Sequence, residues 1–431
     1  MAVQAAPDGD RGRRKTRIAW HTTAGALVAG YLLAAAVVVA AHRVVPVPQW
    51  LALHLLGLGA ATNAVVVWSR FFAQALLHAR TGSERPAQLR LGLLNAGVIA
   101  VLAGVAGHAG LVAAAGAAVV VAVIIAHTAS LLAMIRSSPL AGPLAVVAWY
   151  YLAAGAALAA GGTIGGLLAA GWVRSPRLAG ALTLAHAQLN LLGWLGLALI
   201  GTQFMLWPMV LRTRMSDAAP RLARPVLVLT AGGLAVTTCA LVCTPWLGGM
   251  RWVAAAGMAA YLAGTVISAL PALSRMRVRP PRTAPAWGLL AGYAWLAIAL
   301  AADTAGLAAG LRQADQLLGR LLIPVLGAGV IAQVLTAALT YLLPVTVGGG
   351  PTGNRRVTAT LERAWRTRAV LGNAGVLALV TLPAGWPRVA AWAAILAGFG
   401  TFPGLAVAAL TAGQARAIRR RHMPEGSPPD V

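Results

Sequence analysis

LVAAAGAAVVVAVIIAHTASLLAM (111–134) carries no Asp, Glu, Lys or Arg. As a helix rising 1.5 Å per residue it reaches about 36 Å, enough to cross the ~30 Å hydrocarbon core of a bilayer. A helix apolar on every face has no side to turn to water. In lipid the backbone is satisfied only by helices or closed barrels. This run is continuous, without the ~10-residue alternation of a barrel strand. It reads as a transmembrane helix.

Similar blocks recur on both sides of it. Before it come 18–41, 49–69 and 91–107. After it come 142–170, 181–210, 225–246, 252–273, 285–308, 321–345, 369–383 and 389–412. The expected fold is therefore all-α: a polytopic bundle of twelve transmembrane helices over 18–412, with basic tails at 1–17 and 413–431. Composition agrees, because 59% of the 431 residues are hydrophobic and only 10% charged, where a soluble domain carries about 25%. The first apolar run is too long for a signal-peptide core and reads as the first span.

The loops supply an independent test. Arg11, Arg13, Arg14, Lys15 and Arg17 precede the first span, and every second loop after that is basic, ending in Arg416, Arg419, Arg420 and Arg421. On this reading 26 of the 34 Lys and Arg lie on one side, seven on the other, and Arg70 at a helix end. The positive-inside rule then places both termini in the cytoplasm. The +25 net charge sits in short loops, so the bilayer, and not nucleic acid, is the expected partner. The Ala- and Arg-rich, Lys-poor composition points to a bacterial plasma (inner) membrane. The longest loop, 346–368, reads as a turn followed by an interfacial helix. No fixed-period repeat or inverted pair of broken helices marks a common transporter plan.

Ionisable groups inside a bilayer are costly, and so are functional candidates. His54 and His186 fall near the outer ends of the second and sixth spans, His127 lies deeper in the fourth, and Asp303 is the only acid within a span. Equal depth lets His54 and His186 face one buried group if their helices pack together. Neutral imidazole suits heme iron or copper. Asn190, one turn beyond His186, is placed to orient its ring or bridge helices. His21, His78 and His422 read as solvated at the inner side. Gly161, Gly162, Gly165 and Gly166 form overlapping GxxxG spacings that read as a close helix–helix approach. Cys239 and Cys243 read as small buried hydrophobes.

Three segments carry a family likeness: HLLGLGAATNAVVVWSRFFAQALL (54–77), HAQLNLLGWLGLALIGTQFMLWP (186–208) and YLLPVTVGGGP (341–351). With the helix count they resemble subunit I of the heme-copper oxidases, and more closely its divergent NnrS-type and uncharacterised actinobacterial relatives. The resemblance implies His54 as a heme ligand, His186 as the counterpart of a copper ligand, and His127 as a further metal candidate. It also implies a loose link to copper or nitrogen-oxide metabolism and an outer-side redox or copper protein as partner. The seventh and tenth spans lack the histidines an oxygen-reducing centre needs, so an ordinary terminal oxidase is not expected. Two other classes stand beside this reading. One is a small-solute permease with Asp303, Gln333, Asn63 and Asn190 along its path; the other is an assembly subunit without chemistry.

Overall fold

The computed structural model describes residues 8–79, 84–138, 142–347 and 350–411, with side chains from Trp20 onward. Arg80, the tail 413–431 with His422, residues 1–7, the side chains of 8–19, and Gly348 and Gly349 lie outside the described residues.

All elements among the described residues are helical. We number the rods α1 (Asp8–Ala40), α2 (Pro48–Leu77), α3 (Arg85–Ala106), α4 (Gly110–Arg136) and α5 (Val146–Ala169). Then come α6 (Pro176–Leu211), α7 (Ala218–Cys243), α8 (Met250–Val278) and α9 (Ala284–Ala309). The last are α10 (311–347), α11 (Pro351–Leu361), α12 (Trp365–Thr381) and α13 (Trp386–Thr411). Among the described residues eleven of these are long and apolar enough to cross a membrane. The expected span at 369–383 is α12, which has 17 residues. It reaches about 25 Å, short of the ~30 Å core.

Large apolar side chains at mid-span face outward, among them Ile99, Ile125, Val266, Ile298 and Leu377, each more than half exposed. A perimeter of this kind is stable only against lipid. The protein is a multi-pass membrane helical bundle.

Burial increases toward α6 and α10, each 61% buried in its most apolar stretch, against 28–44% for the other spans. α6 touches α2, α5, α7, α8, α9 and α10. Lipid gives helices no hydrophobic reason to associate, so close packing and polar contacts hold them. Both kinds are present. Gly233 and Gly257 let α7 and α8 cross backbone to backbone, since a Cβ on either would lie 2.5–2.6 Å from the other's carbonyl oxygen. Asn63 and Asn95 exchange a pair of amide bonds, at 2.9 and 3.1 Å, between α2 and α3.

Hydrogen bonds also gather loops into ends. Arg279 donates to the carbonyl of Arg212 at 3.0 Å, joining the α6–α7 and α8–α9 connections. Glu362, just after α11, is partly buried, which raises its carboxyl above the ordinary 4.5 against the opposing pull of the Ala284 amide at the start of α9, from which it accepts. The short helix expected within 346–368 corresponds to α11, and a left-handed Ala364 then caps the start of α12.

Three expectations need correction. Cys239 is exposed on the perimeter and Cys243 half-buried, because lipid and not protein covers that face of α7. His21 is buried rather than solvated, its ring 5.3 Å from Trp68 and 5.5 Å from Phe71. The third correction concerns the α5 glycines and belongs to the site itself.

Candidate histidine site

α2 opens on Pro48, whose ring suits a first helical turn. Trp50 and His54 follow one turn apart, and their rings stack at 3.8 Å with planes 20° apart. The His54 Nδ1 lies 2.8 Å from the Trp50 carbonyl oxygen. A carbonyl only accepts, so Nδ1 carries the proton and the lone pair is left on Nε2.

His186 reaches the same state by another route. Its Nδ1 donates to the Gly161 carbonyl of α5 at 2.8 Å, again leaving the lone pair on Nε2. Asn190 donates to the His186 carbonyl at 2.7 Å. Its amide nitrogen lies 3.2 Å from His186 Nδ1, a contact of two donors once that nitrogen is protonated, so Gly161 decides the tautomer. The two imidazoles then stand with ring centres 6.4 Å apart and planes 21° apart.

The α5 glycines make room for this. A Cβ on Gly165 would lie 2.5 Å from His186 Cε1, and one on Gly161 would lie 2.7 Å from the Asn190 amide. Gly162 and Gly166 face α4 instead, toward Val121 and Ala117. The overlapping GxxxG spacing therefore serves two faces, one of them a cradle for polar side chains and not a backbone-to-backbone crossing.

Both histidines are followed by a π-helical turn, Leu55–Ala61 in α2 and Leu189–Gly196 in α6. Such turns often mark functional sites. Here they are joined: Trp194 Nε1, inside the second, donates to Thr62 Oγ1 at 3.0 Å, directly after the first. Thr62 in turn donates to the Gly57 carbonyl at 3.0 Å. Tyr261 of α8 donates to the Leu192 carbonyl at 2.8 Å. Trp50, Thr62 and the Gly161 carbonyl are therefore the supports that a reading for ionisable residues passes over.

His127 does not join this pair. Its Nε2 lies 3.0 Å from Ser69 Oγ, both buried. Ser69 is fifteen residues beyond His54 on α2, about 22 Å along the helix. Among the described residues no three His, Cys, Asp or Glu side chains gather where they could hold one metal ion. Asp303 lies apart as well, buried on α9, its carboxylate accepting from Gln188 Nε2 at 3.1 Å. Gln188 is two residues past His186 and so points to the opposite face of α6. Asn63 bonds to Asn95 and to the Gly59 carbonyl.

No family model matches the chain, and no curated protein matches it either. The two-histidine geometry therefore carries the functional argument without a relative beside it.

Proposed function

We propose that the chain crosses a bacterial plasma membrane twelve times, α12 included, with both termini cytoplasmic, and holds a heme or a copper ion between His54 and His186 near the outer side. The observation that carries this is the pair itself: two neutral imidazoles, each with Nδ1 tied to a backbone carbonyl, 6.4 Å apart between ring centres. At that separation the two Nε2 lone pairs would be close enough to hold one group between them. A hydrogen bond at the far ring nitrogen is the usual support of a metal-bound histidine.

The donor set favours heme over a bare ion. With no third His, Cys, Asp or Glu beside the pair among the described residues, a bare copper ion would find only two such ligands, whereas a heme, whose ring supplies its own nitrogens, would ask no more of the protein than His54 and His186. When bound, such a group would supply one-electron exchange. Trp50 and the Gly161 carbonyl hold the two rings in the ligating tautomer, while Gly165 leaves the space in which His186 turns. The NnrS-type resemblance adds the direction of copper or nitrogen-oxide metabolism, with an outer-side redox partner. The missing histidines of the seventh and tenth spans argue against oxygen reduction.

The test is an absorption spectrum of the purified protein, oxidised and reduced, with iron and copper analysis. The reading expects a Soret band, or near-stoichiometric copper, lost in both His54→Ala and His186→Ala and kept in His127→Ala. Protein expressed with heme and copper supplied, yet free of both, would remove the cofactor reading. The buried Asp303–Gln188 pair supports a second reading, a small-solute permease; solute flux abolished by Asp303→Asn would favour it.

A further inference from the structure

A cavity of about 580 Å³ lies between α9, α10, α12 and α13, within the roughly 300–1,000 Å³ of ordinary ligand sites. It sits at the end of the bundle where Glu362 meets the start of α9, far from the histidine pair. Its lining is mostly apolar, with Trp287, Ala291, Val370 and Phe399, and it also takes in Arg366 and Arg368. Among the described residues no Asp or Glu lines it. Arg368 spends its bonds on the carbonyls of Gly398, Leu361 and Arg363, and Arg366 stacks over Trp365. The nearest acid, Glu362, is turned to the Ala284 amide. Neither cation is neutralised by a carboxylate, since the one ion pair among the described residues is Arg70–Glu84.

The mouth opens sideways. Val370 and Trp287 are 68% and 46% exposed on the perimeter of the bundle, where lipid lies. Trp287 and Trp365 flank the opening, the residue type that settles at the level of lipid headgroups. An apolar trough entered from the bilayer, with two arginines at its headgroup end, complements one kind of molecule. We propose that this groove is a binding site for an anionic phospholipid, its phosphate at Arg366 and Arg368 and an acyl chain along Ala291, Val370 and Phe399. A soluble anion would meet the same arginines but has no use for the apolar lining.

The test uses the full chain in mild detergent, mixed with micelles of phosphatidylglycerol or phosphatidylcholine and read by native mass spectrometry. The wild type is expected to retain one phosphatidylglycerol in preference to phosphatidylcholine. Arg366→Gln, a change at an exposed position, is expected to cut that retention severalfold. Ala291→Trp, which fills the cavity, is expected to do the same without touching a charge. Arg355→Gln, basic but outside the groove, should retain lipid as the wild type does. Equal retention of the two lipids, retention unchanged in Arg366→Gln, or an equal loss in Arg355→Gln would overturn the site. So would Ala291→Trp protein that is folded and still retains the lipid.

Discussion

The α3–α4 hairpin and the α2–α6 pair are both buried helix contacts, built on opposite principles. α3 and α4 meet through absent side chains. A Cβ on Gly116 would lie 2.7 Å from the Gly97 carbonyl oxygen and from the Val101 amide, and one on Gly104 would lie 2.5 Å from the Ala113 amide. Both helices run without a π turn. α2 and α6 meet through hydrogen bonds, aromatic rings and two π turns. Close backbone contact holds helices firmly but leaves no room for chemistry. Polar contact is looser and leaves ring nitrogens uncommitted, which is the condition for a site.

The largest expected effect breaks the first kind of contact. Gly116→Val drives a branched side chain into the α3 backbone and should destabilise by on the order of 3 kcal/mol, the upper end for overpacking. Loss of monodisperse protein on size exclusion is the readout; a wild-type profile would show that the hairpin can relax. Ser69→Ala comes next. It strips buried His127 of its Nε2 partner and should cost about 1–3 kcal/mol. Thermal unfolding measures that cost, and any cofactor spectrum should stay unchanged, because His127 stands apart from the histidine pair.

Thr62→Val sharpens the second kind of contact. It removes the Trp194 acceptor, stranding a buried N–H at about 1–3 kcal/mol, and should alter the spectrum of any bound group while leaving both histidines in place. An unaltered spectrum would mean that the two π turns do not hold the histidines in register.

The smallest effect lies outside both contacts, at Glu362. Burial raises its folded-state carboxyl above the ordinary value, so the folded protein holds this proton more tightly than the unfolded chain. Its ionised form therefore weighs against folding increasingly as pH rises past the ordinary glutamate range. Glu362→Gln should then raise the midpoint of thermal unfolding slightly at pH 7. The gain should vanish at pH values where both states are protonated; a gain that persists there would assign it to something other than charge.

The helices were legible because lipid demands long apolar runs, and the equal depth of His54 and His186 followed from counting residues inward from the span ends. Three features were not legible, each for its own reason. A π turn changes backbone hydrogen bonding without changing hydropathy, so Leu55–Ala61 and Leu189–Gly196 look like any other apolar stretch. A glycine pair marks a place where something comes close but does not say what, so Gly161 and Gly165 pointed to a helix where they make room for the Asn190 amide and the His186 ring. His21 has polar residues on one side in sequence and aromatic rings on the other in space, and only the fold brings Trp68 and Phe71 to it. α12 marks a limit of another kind. Its helix ends at Thr381, and Pro383 two residues beyond stops it just where length decides whether it spans.

The π turns also set the phase of their helices. Each holds one more residue than an α-helical turn, so it rotates what lies above it by about 100° relative to what lies below. The segment of α6 bearing His186 and the segment bearing Gln203, which donates to the Ser268 carbonyl of α8, are therefore indexed separately. Removing a single residue between Leu189 and Gly196 would restore a regular helix. It would also swing the imidazole off the Gly161 carbonyl, while every contact toward the other end of α6 kept its place.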